Sequence, residues 1–307
     1  MSTVPDHLHG LVDDAAVFPP GNAPLDEAVR AHVEHRAAPY ADLVGPLVVG
    51  DRHLAELPDV VSATVRDETQ AGRPSGPAFG HELSVTVVVS GGAGALEPAV
   101  RWATRDGMRL AALEVAVRDS ATGEAAHNAR RIATMVDQLL SAGDLDEQVR
   151  VYVEMPRLYG SPPTPDWFGA LDEIAAAGLR LKLRTGGQDA DAFPAPHELA
   201  GCIEAALDRE MPLKCTAGLH HAVRHTDAET GFDHHGFLNV LLATRALFDG
   251  AGVDEAAVLL DERDADVLVE QSTDDALRSA RRWFTSFGSC SVVEPLEDLQ
   301  KLGLVTS

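Results

Sequence analysis

Eight apolar, strand-like segments alternate with helix-like segments along the whole chain. Period-2 alternation rich in Val and Leu is typical of strands, and apolar residues three and four apart are typical of helices. Eight strand–helix units in 307 residues match the count of a (β/α)8 TIM barrel. The predicted strands are Gly10–Pro20, Leu43–Gly50, Glu82–Gly92, Arg109–Arg118, Val149–Pro156, Leu179–Gly187, Met211–His221 and Trp283–Ser291.

The same alternation also fits an open, doubly wound α/β sheet. Such a sheet would place a glycine-rich phosphate turn, G-x-G-x-x-G, after its first strand. The chain has FPPGN at that point, so the barrel is the favoured fold. We predict a single domain over residues 1–307, because no linker or low-complexity segment divides the chain. The acidic, helix-like stretch at about 250–280 is predicted to be a helical insertion before the last strand.

Charge, hydropathy and cysteine content limit the kinds of partner and the cellular location that we expect for this protein. The formal net charge of −23 argues against nucleic acid or an anionic membrane surface, since both require a basic footprint. The first ten residues are polar, and no run of about 18 apolar residues is present, so we expect neither a secretory signal nor a membrane span. The three cysteines lack CxxC spacing, which argues against a disulfide framework. We therefore expect a cytoplasmic protein, and a homo-oligomer is left open.

Lysine is rare in this chain and occurs only at Lys182, Lys214 and Lys301. The first two lie within apolar strand-like segments, where surface solubility does not explain them. Barrel strands pack one face on the helices and turn the other towards the interior. The sixth strand reads LRLKLR, so its leucines should face the helices and its cations the interior. The same parity places further charged side chains inside, and the predicted set is Glu114, Glu154, Lys182, Arg184 and Lys214.

Unpaired buried charges are costly, so these side chains should pair with one another. One alternative is an ion-pair lattice that only fills the barrel. We favour chemistry because the charges lie towards the C-terminal face, where barrel enzymes hold their active sites. Asp13 and Asp14 are neighbours on the first strand, so only one should face inward. It is either an acid/base group or an ion-pair partner of Arg180, and we favour the pairing.

Lys182 is the predicted nucleophile. A lysine beside other cations in a low-dielectric site has a lowered pKa, which makes its free amine available. We expect Arg184 and Lys214 to lower the pKa of Lys182 in this way. The amine would form a Schiff base with a carbonyl compound, and the imine is an electron sink for carbon–carbon bond cleavage or formation. Glu154 would be the acid/base group. The predicted enzyme is a lyase of aldolase type.

The run from VYVEMP through KLRTGG to KCTAGLHH resembles the later half of class I aldolase barrels, especially the deoxyribose-phosphate aldolase family. That family carries a Schiff-base lysine before a short Ser/Thr-Thr-Gly segment, and a second lysine on the next strand. The resemblance implies that Lys182 takes the first position and Lys214 the second, although their roles could be exchanged. Arg184 stands where the family has a small hydroxyl residue. Through FPPG, KLRTGG, AGLHH and FGSCS, the whole chain also resembles an uncharacterised bacterial family of β/α barrels.

A small anionic carbonyl compound is the expected substrate. Arg184 supplies a cation, and glycine-containing turns at strand ends expose backbone N–H groups that can bind phosphate or carboxylate. The side chains expected to contact the substrate are Arg184, Thr185, Thr216, Glu114, His220, His221 and Ser289.

The histidine-rich loop after the seventh strand supports a rival hypothesis. Neutral imidazoles with Glu154 could hold a divalent metal that polarises a carbonyl or activates water. Such a site would suit an isomerase, a hydrolase or a class II aldolase. Its predicted ligands are Glu154, His220, His221 and His235. The first hypothesis needs no cofactor. A third hypothesis is a non-catalytic barrel that binds an anion through Lys182, Arg184 and Lys214.

Overall fold

The computed structural model describes residues 3–70, 82–105, 107–117 and 124–306. The strands in this part of the chain are β1 (Val12–Asp14), β2 (Val44–Gly50), β3 (Leu83–Val89), β4 (Met108–Ala116), β5 (Arg150–Glu154), β6 (Arg180–Arg184), β7 (Leu213–Thr216), β8 (His225–Thr226), β9 (Asp233–His234) and β10 (Phe284–Ser289). Eight of them are parallel and close a barrel in the order β1-β10-β7-β6-β5-β4-β3-β2, while β8 and β9 form a separate hairpin. The predicted (β/α)8 TIM barrel is therefore confirmed.

Helices follow the barrel strands in sequence. The helices outside the barrel are α1 (Leu25–Ala37), α2 (Leu57–Gln70), α3 (Leu96–Ala103), α4 (Ala125–Ala142), α5 (Pro165–Ala176), α6 (Pro196–Leu207) and α7 (Phe237–Phe248). The stretch predicted as an insertion holds three short helices, α8 (Val253–Asp261), α9 (Ala265–Gln271) and α10 (Asp274–Arg281), and α11 (Val293–Lys301) follows the last strand. Helix α8 packs on α6 and α7, and α10 packs on α7. Over the described ranges, no helix has both the length and the apolarity to cross a membrane.

The residues at the start of α5 determine where this helix begins and which of its faces is buried. Thr164 is the N-cap, and its hydroxyl accepts a hydrogen bond of 3.1 Å from the backbone N–H of Trp167. Pro165 occupies the first helical position, where its fixed φ suits the helix and no N–H is needed. Trp167 and Ile174 then lie on the buried face, so the apolar spacing orients the helix against the barrel.

Several strands are shorter than their apolar runs predict. Strand β7 ends at Thr216 because Ala217 and Gly218 adopt φ values of 63° and 75°, which cannot continue a strand. Strand β4 has a bulge: Val85 pairs with Leu110 and Thr86 with Ala112, so one residue of β4 has no partner on β3. Residue 118, the predicted end of the fourth strand, lies outside the described residues.

Gly45 on β2 makes room for an acidic side chain of the interior. A Cβ atom at this position would lie 2.2 Å from Oδ1 of Asp13. We expect Gly45→Ala to lower the free energy of unfolding by about 1–3 kcal/mol, because Asp13 or the strand must move. Gly50→Ala on the same strand is the matched control, since its new methyl group would meet Cγ of Arg52 at an ordinary 3.7 Å. Urea titrations that give equal losses for the two variants would contradict this steric argument.

Candidate active site

Two lysine side chains meet inside the barrel. Lys182 on β6 and Lys214 on β7 are direct partners in the strand register, and their side chains are only 4% and 1% exposed. A single carboxylate, Glu114 on β4, bridges them. Its Oε2 lies 2.6 Å from Nζ of Lys182, and its Oε1 lies 2.5 Å from Nζ of Lys214. The inward orientation predicted from period-2 alternation thus brings three of the predicted residues into contact.

Each lysine also has a second carboxylate partner. Nζ of Lys182 lies 2.9 Å from Oε2 of Glu154, and Nζ of Lys214 lies 2.5 Å from Oδ2 of Asp13. The hydroxyl of Ser286 donates to the same Oδ2 at 2.8 Å. We refer to these ion-paired residues as the lysine cluster, which consists of Asp13, Glu114, Glu154, Lys182 and Lys214.

The pair predicted between the first strand and Arg180 is wrong. Asp13 contacts Lys214, whereas its neighbour Asp14 faces α1, where Oδ2 lies 2.9 Å from Nδ1 of His32. The Arg180 guanidinium lies 5.8 Å from the ring centroid of Tyr152. The barrel order explains the difference, because β7 is two strands from β1 and β6 is three strands away. Asp13 is the member of the cluster that sequence reasoning did not place.

The carboxylates reverse the predicted pKa direction of Lys182. Burial alone lowers the pKa of an ammonium group, but Glu114 and Glu154 outweigh burial and raise the pKa of Lys182 above its usual value. Asp13 and Glu114 likewise outweigh burial at Lys214 and raise its pKa. Burial raises the pKa of Glu114, but the two ammonium groups outweigh it and hold this pKa at about 2. In the resting protein both lysines are therefore charged.

Glu154 forms the exposed edge of the lysine cluster and contacts Arg184, which lies outside the cluster. The Glu154 side chain is 17% exposed, and Nε of Arg184, which is 41% exposed, donates to its Oε1 at 3.0 Å. Burial raises the pKa of Glu154, but the cations of Lys182 and Arg184 outweigh it and keep the pKa below the usual value. Strand β6 runs from Arg180 to Arg184, so this edge lies at the C-terminal mouth of the barrel.

Two threonines at the strand ends have different environments. The Thr185 side chain is fully buried, and its hydroxyl donates to the carbonyl oxygen of Ala217 at 2.6 Å. It therefore ties the end of β6 to the turn after β7. Thr216 is only partly buried and lies two residues beyond Lys214 on the same strand. Thr216 is the better placed of the two to meet a ligand at the mouth.

His220 lies beside two side chains at the end of β10. Its Nδ1 is 3.5 Å from Oγ of Ser289 and 3.9 Å from Sγ of Cys290. The same nitrogen lies 3.0 Å from Oε2 of Glu294 on α11. No sequence signal pairs Cys290 with a histidine. Burial raises the pKa of the Cys290 thiol, so the geometry does not supply a thiolate nucleophile at neutral pH.

The structure does not bring the predicted metal ligands together. Nδ1 of His221 lies 3.0 Å from Oδ2 of Asp298, and the buried His235 donates through Nε2 to the carbonyl oxygen of Pro194 at 2.7 Å. Glu154 is held in the lysine cluster. Over the ranges that the structure describes, no group of three His, Cys, Asp or Glu side chains could hold a metal ion. The imidazoles instead contact carboxylates of α11 and the backbone carbonyl of Pro194.

Comparison with known protein families gives no match, and comparison with curated proteins gives none either. Among solved structures, the chain is similar to the tetrameric deoxyribose phosphate aldolase from Aeropyrum pernix. The two chains are 13% identical with a TM-score of 0.52, over 96% of this chain and 92% of that chain. At this identity the likeness establishes a shared fold. The resemblance drawn from the C-terminal half of the sequence is confirmed at that level.

Loss of the bridging charge should destabilise the protein strongly. In Glu114→Gln, two buried ammonium groups lose their common carboxylate, and we expect the free energy of unfolding to fall by about 3–5 kcal/mol at neutral pH. Glu297→Gln is the control, since Glu297 pairs with Lys301 at 3.5 Å on the surface. That variant should lose less than about 1 kcal/mol in the same denaturant titration. Similar losses in both variants would contradict the assigned role of Glu114.

The effect of Glu114→Gln should also depend on pH. The pKa of Glu114 falls from 4.5 to about 2 on folding, so its contribution to stability is complete above pH 4.5 and disappears as pH falls towards 2. The difference in free energy of unfolding between wild type and variant should be constant at neutral pH and shrink in acid. A difference that stays unchanged between about pH 6 and pH 3 would contradict the depressed pKa.

Proposed function

We propose that this protein is a lyase of class I aldolase type, in which Lys182 forms a Schiff base with a small anionic carbonyl compound. The observation that carries the proposal is the pairing of Lys182 and Lys214 on adjacent strands around the shared carboxylate of Glu114. The cluster reaches the C-terminal mouth, where barrel enzymes perform their chemistry. The fold shared with an aldolase is consistent with this proposal.

Lys182 is the better placed nucleophile of the two lysines. Its partner Glu154 is 17% exposed at the mouth, whereas the partners of Lys214, Asp13 and Glu114, are 5% and 2% exposed. A carbonyl compound that enters from the C-terminal side would meet Lys182 first. Lys214 would keep its charge and hold Glu114 in position.

Lys182 must lose a proton before it can attack. Its ammonium group contacts Glu154, so transfer to that carboxylate would leave a neutral amine and a neutral carboxylic acid. The amine would add to the carbonyl carbon, and the carbinolamine would lose water to give an iminium ion, with Glu154 returning a proton to the departing hydroxyl group. This step uses only side chains of the chain, and the proposal includes no metal or other cofactor.

The iminium ion would then accept the electron pair of the carbon–carbon bond that breaks. The hydroxyl group on the departing fragment would lose its proton to a base, and that fragment would leave as an aldehyde or ketone. The enamine that remains on Lys182 would take up a proton at carbon, and water would hydrolyse the resulting iminium ion to release the second product. The same steps in reverse would form the bond.

Arg184 is the proposed binding group for the substrate's anion. Its Nε contacts Glu154, and the Nη groups of a guanidinium can still form paired hydrogen bonds with a carboxylate or phosphate. Thr216, His220 and Ser289 would line the same mouth. The Aeropyrum pernix aldolase is a tetramer, and we extend the proposal to a homo-oligomer of this chain.

The low lysine content makes a trapping experiment specific. Sodium borohydride with a panel of small aldehydes, ketones and keto acids should leave a covalent adduct on the peptide that contains Lys182, because reduction fixes an imine. Intact-mass spectrometry and peptide mapping detect it. Lys301 is 68% exposed and reports unspecific modification within the same sample.

Lys182→Met should abolish the adduct, and Lys301→Arg should leave it unchanged. Circular dichroism shows whether each variant is folded. An adduct on Lys214 alone would show that Lys214, and not Lys182, is the nucleophile. No adduct with any compound of the panel, or equal labelling of Lys301, would overturn the Schiff-base proposal.

Arg184→Gln should weaken trapping of anionic compounds selectively. With pyruvate below saturation, the trapped fraction should fall about tenfold, because the variant lacks the charge that binds the carboxylate. With hydroxyacetone, which is similar in size and uncharged, it should change by less than about twofold. Arg180→Gln, at the other end of the same strand, is the matched control and should change the trapped fraction with neither compound. An equal loss for both compounds would exclude Arg184 as the anion-binding group.

A further inference from the structure

A cavity of about 580 Å³ opens at the N-terminal end of the barrel, opposite the mouth that holds Glu154 and Arg184. Its wall comes from the first residues of the strands and from the loops that precede them, so it lies at the N-terminal face. Barrel interiors are usually filled here by branched aliphatic side chains. In this barrel the wall combines apolar side chains, such as Leu110 and Leu145, with small residues, namely Gly45, Ser84, Thr86, Ala112 and Ser286. The volume lies within the range of about 300–1,000 Å³ that is typical of small-molecule sites.

Two arginines line this cavity, although the chain as a whole has a net charge of −23. The register pairs Arg109 on β4 with the inward-facing Ser84, and Arg150 on β5 with the inward-facing Ala112. The bulge in β4 is what allows both Arg109 and Ala112 to face the interior. Nη2 of Arg109 donates to Oγ of Ser84 at 2.7 Å, so the guanidinium lies against the cavity wall.

Acidic side chains also lie at the rim of this cavity. Glu82 and Asp146 also line the cavity, and Oδ1 of Asp146 accepts from the backbone N–H of Gln148 at 2.7 Å in a local turn. Within the described ranges, neither Arg109 nor Arg150 forms an ion pair. Two guanidinium groups therefore remain available to an anion.

The inner wall offers hydroxyl groups and a carboxylate. Thr86 is fully buried, and its Oγ1 has no hydrogen-bond partner. A buried hydroxyl group without a partner is destabilising, and a bound polar group would supply the missing hydrogen bond. Asp13 uses Oδ2 for Lys214 and Ser286, while its Oδ1 faces Gly45 on the cavity wall. The wall can thus both donate hydrogen bonds to a polyol and accept them from it.

We propose that the N-terminal cavity is a second ligand site, which binds a small hydroxylated anion. The carboxylate or phosphate group lies between Arg109 and Arg150, since guanidinium groups bind either anion through paired hydrogen bonds. The hydroxyl groups of the ligand contact Thr86, Ser286 and Asp13. The site requires no carbonyl group and lies away from the exposed edge of the lysine cluster, so it does not depend on Schiff-base chemistry.

Probes without a carbonyl group test this site separately from imine formation. We would titrate D-gluconate, which carries a carboxylate, and glycerol 3-phosphate, which carries a phosphate, into the wild-type protein by calorimetry. D-Sorbitol is the uncharged control. At least one anionic probe should bind saturably with a Kd below about 10 mM and about tenfold more tightly than D-sorbitol. The stronger probe shows which anion the site favours.

Variants at the two ends of the barrel locate the binding. The double substitution Arg109→Gln and Arg150→Gln should raise the Kd about tenfold or more, and Thr86→Ile, which fills the cavity, should do the same. Arg184→Gln at the opposite mouth should change the Kd by less than about twofold. If Thr86→Ile does not fold, the double arginine variant still shows whether the probes bind in the N-terminal cavity.

Three results would overturn the proposal: no saturable binding of either anion, D-sorbitol binding as tightly as the anions, or an effect of Arg184→Gln as large as that of the arginine pair. None of them bears on borohydride trapping at Lys182.

Discussion

The contact between Glu114 and two buried ammonium groups is the constraint on which the rest of the interior depends. Two lysines excluded from water would each lose several kcal/mol of hydration, and only close carboxylates offset such a loss. Asp13, Glu114 and Glu154 supply three negative charges, which Lys182, Lys214 and Arg184 balance. The small residues around the cluster follow from it, because Gly45 leaves space for Asp13 and Ser286 donates to the same carboxylate. A free amine in this setting must come from proton transfer within the cluster, since repulsion between neighbouring cations is already cancelled.

The alternating cations of β6 lie at different heights in the barrel. Successive inward residues of a strand lie about 6.6 Å apart. Lys182 and Arg184 both contact Glu154, whereas Arg180 lies over the ring of Tyr152. Arg180 packs over Tyr152 at the N-terminal end, Lys182 enters the lysine cluster, and Arg184 reaches the C-terminal mouth beside Glu154. One period-2 pattern therefore marks a line of cationic side chains along the barrel, with the buried Lys182 between the partly buried Arg180 and the exposed Arg184.

The sequence predicts well which side chains of a single strand face the interior. It predicts poorly which side chains of different strands contact each other. The inward positions of Glu114, Glu154, Lys182 and Lys214 follow from alternation alone. The pairing of Asp13 with Lys214 depends on barrel order and strand tilt, which no single segment encodes. The sign of the pKa change at Lys182 depends on how many carboxylates lie within hydrogen-bond distance. His220 and His221 contact carboxylates of α11 that lie 74 and 77 residues further along the chain, so their loop shows no sign of those partners. The bulge in β4 likewise reverses the parity that its apolar pattern predicts for Arg109.

The cavity at the N-terminal end has a physical connection with the lysine cluster. Aliphatic side chains packed below Asp13 would leave its Oδ1 in a dry, apolar layer, and an incompletely satisfied buried carboxylate is strongly destabilising. Small residues and hydroxyl groups at this level keep a polar environment on that side of Asp13, while Lys214 provides the charge on the other. The absence of bulky side chains at Gly45, Ala112 and Ser286 therefore lowers the desolvation penalty of the cluster and leaves an open polar space. In this chain an open layer therefore lies next to the charged one, and two inward arginines make that layer suited to an anion.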